Sequence, residues 1–178
     1  MQKQVVPPNV EVVGHSIMAI VNALELIKTQ AQRLLAEHGI TNVEPNGWYS
    51  MRSAIEALQA IEQKIGPVTM RAVGRKVPEN ALFPELRSLR EALQMLDTAY
   101  QMNHRGWQGG NIGGYHYEQT AERGGRMVCD NPYSCQFDHG IIEGICERFR
   151  PKDSWVRVDH GAGCRQKGAA ACTYHIRW

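Results

Sequence analysis

The sequence predicts an α+β protein: an N-terminal half of four helices packed on a C-terminal antiparallel sheet, with element order β-β-α-β-β in the second half. Three observations predict it. Apolar residues recur at helical spacing from residue 14 to residue 103. After "HRGWQGGN" the leucine stripe gives way to glycine, arginine and aromatic residues. Near the C-terminus two segments read as strands around a glycine-rich turn.

The elements follow in order. In "HSIMAIVNALELIKTQAQRLLAEHG", Ile17, Ile20, Val21, Leu24, Ile27, Ala31, Leu34 and Leu35 form one stripe, and Gly39 suits the C-terminal cap. A second helix is expected from about Ser50 to Ile65, with Met51, Ile55, Leu58 and Ile61 inward and Gly66 as its stop. Pro67 suits the first turn of a third, "PVTMRAVGRK", and Pro84 that of a fourth carrying Leu86, Leu89, Leu93 and Leu96. "IGGYHYEQT" and "RGGRMVCDN" read as strands joined by a turn at Ala121–Gly125. "PYSCQFDHGIIEGICERFRP" returns to helical spacing through Phe137, Ile141, Ile142, Ile145 and Phe149. "SWVRVDH" alternates Val156 and Val158 against Trp155, Arg157 and Asp159, and "CTYHIRW" is the last strand.

A chain of 178 residues fits one domain. Residues 1–13 are expected to form an N-terminal arm and 14–178 a single domain, helical over 14–106 and sheet-forming over 107–178. A net charge of +2 gives no field that would recruit nucleic acid, and Arg71, Arg75, Lys76, Arg87 and Arg90 read as a solvated helix face. No membrane span and no signal-peptide core is visible, so a cytoplasmic location is expected. The chain has no dinucleotide fingerprint and no nucleophile–base constellation, which argues against independent catalysis.

Five cysteines in a reducing compartment point to metal binding, redox chemistry or packing more than to structural disulfides. Cys164 and Cys172 flank the final turn, His160 precedes them, and Cys135 opens a helix. Cys146 falls on the apolar face of its helix and reads as core, while Cys129 lies close enough in sequence to join a four-cysteine set.

The block from "NPYSCQFDHGIIEGICERF" through "WVRVDHGAGCRQKGAAACTYHIRW" resembles the 4-vinyl-reductase domain. That small-molecule-binding family lies in a fold group with heme nitric-oxide sensor domains and vesicle-tethering complex subunits. The signature positions hold Cys135, Cys164, Gly168 and Cys172, and the match covers roughly residues 110–178. The resemblance implies a structural zinc. Its usual fourth ligand, a glutamate, would stand at Gly161, so His160 is the expected replacement and Asp159 the weaker one. Small residues around the turn would let the backbone wrap an ion, and a helix N-terminus favours the Cys135 thiolate. An iron–sulfur cluster or a cysteine redox sensor are the other readings of these thiols.

A closed ligand set leaves function to a pocket between the halves, taking a small aromatic or hydrophobic ligand. Its candidate residues are Tyr100, His104, Trp107, Tyr115 and Tyr117; the resemblance gives His104 a ligand-orienting role. The alternative is a heme- or tetrapyrrole-binding sensor or accessory protein, with His104, His116 or His15 as axial candidates. The Y-x-S-x-R propionate motif of the heme sensors is not supplied by "YHYEQ". The resemblance also implies a homodimer, with "QVVPPNVEVV" as an exchanged arm; with no helix-turn-helix, ATPase or kinase segment to give an output, a separate output protein is expected.

Overall fold

The computed structural model describes residues 6–80, 86–108 and 111–178. In chain order the first half contains β1 (Glu11–Val13), α1 (Gly14–Ala23), α2 (Lys28–Glu37), β2 (Trp48–Ser50), α3 (Met51–Asn80), α4 (Leu89–Met102) and β3 (His104–Arg105). The second half contains β4 (Tyr115–Ala121), β5 (Gly124–Cys129), α5 (Cys135–Phe149), β6 (Arg157–His160) and β7 (Cys172–Arg177). The class is α+β, with two antiparallel sheets ordered β2-β1-β3 and β4-β5-β7-β6.

The first half differs from the expected four helices in two places. The stripe over residues 15–38 spans two helices, because the backbone leaves the helical region at Leu24 and Ile27 around one tight turn. That turn nearly keeps the helical spacing, so Ala31, Leu34 and Leu35 still reach the core. The two helices expected on either side of Gly66 are both present within α3, separated where the backbone leaves the helical region. Gly66 takes φ 79°, which glycine adopts without steric cost, and Pro67 opens the second segment. Residues 11–13, expected in the arm, form β1 between β2 and β3, with Val10 and Val12 buried. Three-residue strands are too short to show a period. Residues 1–5 and Pro84 lie outside the described residues; α4 begins at Leu89, where the Ser88 hydroxyl accepts from Glu91 N and the Glu91 carboxylate accepts from Arg87 N.

Helix α5 joins the halves. One face covers the larger sheet, where Met127, Ile142, Ile145, Tyr174 and Ile176 are buried together. Its other face lies directly on α3, backbone to backbone. A Cβ at Gly140 would stand 2.0 Å from the Arg71 carbonyl oxygen, and one at Gly144 2.2 Å from that of Arg75. Glu143 lies between these glycines and accepts from Arg71 Nε (2.9 Å) and an Arg75 terminal nitrogen (2.8 Å). These pairs use two members of the expected basic face.

The close approach predicts that Gly140→Ala or Gly144→Ala destabilises the fold by about 1–3 kcal/mol, because backbone cannot yield to the new methyl. Urea unfolding of each variant against wild type measures this.

Candidate functional site

Two local features put Cys135 at the start of α5. The Ser134 hydroxyl accepts from Phe137 N (3.2 Å) as the helix cap, and the Asn131 side chain accepts from Tyr133 N (2.9 Å) in the preceding turn. Across the sheet, His160 ends β6 opposite Tyr174 of β7. Gly161 N donates to Thr173 O (2.7 Å) before the chain loops out. Within that loop the Cys164 carbonyl accepts from Lys167 N and Ala169 N, at 2.9 and 3.1 Å, and Gly168 turns back with φ 93°. Cys172 then opens β7.

One ligand atom from each of Cys135, His160, Cys164 and Cys172 lies within 4.8 Å of the others. The Cys135 sulfur is 3.0 Å from that of Cys172 and 3.5 Å from that of Cys164. A tetrahedral zinc with bonds of 2.3 Å to sulfur would space its sulfurs about 3.8 Å apart, within an ångström of this arrangement. His160 supplies the sharper observation. Its Nδ1–H donates to Gly161 O (2.7 Å), which leaves the Nε2 lone pair buried and unpartnered. A ligating imidazole needs that tautomer, fixed by a backbone carbonyl.

The two facing thiols of Cys135 and Cys172 are pulled in opposite directions. A hydrogen bond from Cys135, then the Arg165 backbone N–H, holds the Cys172 thiol well below its ordinary range. Cys135 is pushed up by that bond to Cys172 and then by burial. Binding an ion through both of these sulfurs would displace the proton they share.

Asp159 and Cys129 take other places. Asp159 pairs with Arg157 at 2.8 Å and Arg177 at 3.5 Å. Cys129 is fully buried opposite Cys172, its thiol raised by burial, and does not belong to the four-residue cluster. Cys146 is packed in the core with its thiol pushed up to about 12 by burial.

The structure adds residues that sequence reasoning missed. Asp138, one turn into α5, is completely buried. Its carboxylate accepts from Tyr115 Oη (2.6 Å), Asn131 Nδ2 (3.3 Å) and the Arg165 guanidinium. Burial raises its pKa to about 6 against the pull of Arg165 and Tyr115. From sequence, an acidic residue in a first helical turn reads as dipole complement. The readable signal was its position three residues after Cys135, on the same inward face.

Of the pocket candidates, Tyr100, His104 and Tyr115 come together, joined by Tyr133. Ring centroids are 4.4 Å apart for Tyr100–His104 and 5.6 Å for Tyr100–Tyr115. Their polar atoms are engaged. Tyr100 Oη donates to Ile112 O (2.8 Å), His104 Nδ1 to Tyr100 O (2.7 Å), and Tyr133 Oη to His104 Nε2 (3.1 Å). Trp107 is half-buried against the main core. Tyr117 lies over Gly125, and its hydroxyl is buried without a partner. A cavity beside Tyr133, bounded by Ile55, Leu58, Glu62, Met70 and Phe137, measures about 10 Å³, room for one water.

The other histidines named for axial ligation stand apart. His116 is about half exposed and pairs with Asp130 at 3.0 Å, and His15 is exposed at the start of α1.

No protein-family model and no curated protein matches the sequence. Solved structures do. One, described as "Modulating Heme Redox Potential Through Protein-Induced Porphyrin Distortion", is 17% identical with a TM-score of 0.70, covering 93% of this chain and 99% of its own. An H-NOX protein from S. oneidensis in the Fe(II)NO state is 12% identical with a TM-score of 0.69, covering 93% and 98%. An oxygen-binding H-NOX domain related to soluble guanylate cyclases is 17% identical with a TM-score of 0.64, covering 92% of each chain. The fold is that of the H-NOX domains. This likeness lies in the heme-sensor branch of the expected fold group, while the 4-vinyl-reductase family remains a resemblance in residues. Among the described residues no helix is long and apolar enough to cross a membrane.

Burial lowers the His104 pKa to about 4, against the raising effect of its bond to Tyr100 O. Unfolded histidine titrates near 6.5, so between about pH 6.5 and 4 the unfolded chain takes the proton first and stability falls with pH. The full effect is about 3 kcal/mol. Asp138, raised in the fold, contributes the opposite slope between about pH 4 and 6. The stability difference between wild type and His104→Gln, measured by urea unfolding across that range, should isolate the histidine and shrink as pH falls.

Proposed function

We propose that this chain is a ligand-binding sensory domain on the H-NOX fold, braced by a structural zinc at Cys135, His160, Cys164 and Cys172. The observation that carries the metal reading is the buried, unpartnered His160 Nε2 beside three converging sulfurs. Three sulfurs and one imidazole suit zinc, and a closed set gives a brace and not a Lewis-acid centre. The sensing role would fall to the Tyr100–His104–Tyr115–Tyr133 cluster, where a small aromatic ligand would have to displace existing ring contacts. A partner chain would read the outcome, and a homodimer would extend through the N-terminal residues.

A second reading is a heme-binding sensor, favoured by the fold likeness over 93% of the chain. The likeness backs heme more directly than it backs a phenolic ligand. The side chains fit heme poorly: both His104 nitrogens are engaged, and the adjoining cavity holds only one water.

Elemental analysis should find about one zinc per chain. Cys164→Ser should lower the melting temperature by about 10 °C, since metal binding is coupled to folding and roughly 3 kcal/mol is at stake. Protein that stays fully folded and metal-free under chelator would sink the zinc reading.

Titration separates the two pocket readings. A phenol should raise the melting temperature of wild type and leave His104→Ala unmoved. A Soret band on adding hemin, altered in His104→Ala, would instead select heme.

A further inference from the structure

The turn that carries Cys164 also carries Arg165, and its guanidinium points inward, with the side chain only 13% exposed. Each of its three nitrogens has a different partner. Nε donates to the Cys172 sulfur at 3.5 Å, one terminal nitrogen to Asn131 Oδ1 at 3.3 Å, and the other to the Asp138 carboxylate. The Arg165 backbone N–H donates to the same Cys172 sulfur at 3.3 Å. Two donors from one residue therefore converge on one sulfur, and the rest of the fork is bolted to fully buried groups.

We propose that Arg165 is the positioning residue of the Cys135–His160–Cys164–Cys172 site, holding the Cys172 sulfur in ligating orientation from an anchor on Asp138. The inference rests on reading those four residues as a metal site and names what sets their geometry. Three thiolates and a neutral imidazole around a divalent cation leave one excess negative charge, and N–H donors directed at a sulfur stabilise that charge. The sulfur would otherwise face buried surroundings with no compensating dipole. Asp138 matters because it fixes the cation's direction. Its first oxygen is occupied by Tyr115 and Asn131, leaving the second for Arg165. Asn131 accepts from Arg165 and donates to Asp138, so the fork cannot swing without breaking two buried contacts. Lysine keeps the charge but lacks the planar fork that reaches sulfur, amide and carboxylate together.

Cobalt(II) replaces zinc in the test, because its sulfur-to-metal charge-transfer band reports the sulfur environment. Full-length wild type, Arg165→Lys and Asp138→Asn are titrated with cobalt in competition with a chelator, and each folded state is checked by circular dichroism. Wild type should bind cobalt. Arg165→Lys should bind about 10–100-fold more weakly, with a shifted charge-transfer band at saturation. Asp138→Asn, which changes no atom in contact with a ligand sulfur, should shift the band in the same direction and weaken binding about 10-fold. Either folded variant decides the question if the other fails to fold. Variants that melt earlier yet bind with wild-type affinity and an unshifted band would overturn the positioning role and leave Arg165 a structural residue. Wild type that binds no cobalt would overturn the metal reading itself, and the inference with it.

Discussion

A carboxylate with no solvent exposure sits where four segments of this protein meet, and its satisfaction constrains all of them. Asp138 belongs to α5, Tyr115 to the start of β4, Asn131 to the turn after β5, and Arg165 to the loop between β6 and β7. Removing any partner would leave buried charge under-compensated, which costs far more than the contact contributes when intact. The network therefore acts less as a source of stability than as a specification. It admits one relative placement of helix, strand and loop, and that placement brings the cysteines together.

The second constraint is the glycine contact between α3 and α5. By letting two backbones touch, Gly140 and Gly144 draw the helical half close to the sheet. The volume between the halves is then filled by Tyr100, His104, Tyr115, Tyr133 and Phe137. An H-NOX fold and a close-packed aromatic interior are compatible, because fold fixes the layout of elements while side chains decide what the interior can accept.

The parts legible in the sequence are those with a strong period or a specific donor set. The apolar stripe of α5 and the Gly66–Pro67 break were readable, and the four residues singled out by spacing, Cys135, His160, Cys164 and Cys172, do come together in the fold. The three-stranded sheet of the first half was not, since β1, β2 and β3 are two or three residues long and take their direction from pairing partners distant in sequence. Arg165 was hidden for a related reason, and Asp138 gave no hint beyond its place three residues after Cys135. A charged residue in a first helical turn and another in a glycine-rich loop both look solvent-facing until the long-range contact between them is known. His160 was readable only as a substitute for a ligand expected one residue later; the tautomer that would let its Nε2 ligate is set by the Gly161 carbonyl.

The loop between β6 and β7 explains why a metal would be useful there. Residues 161–171 are mostly exposed, and glycine and alanine dominate them, so they bury little apolar surface against the conformational entropy of ordering. Cys164 is the partly buried hydrophobic residue within this stretch that packs on the core, and Arg165 is the charged residue that turns inward. Two side chains and a few turn hydrogen bonds are a weak hold on eleven residues. A cation shared by Cys135, His160, Cys164 and Cys172 would tie that loop to a helix and two strands at once. With Cys164 fixed by that cation, the adjoining Arg165 fork would be held on Asp138, so the brace and the buried network would stabilise each other.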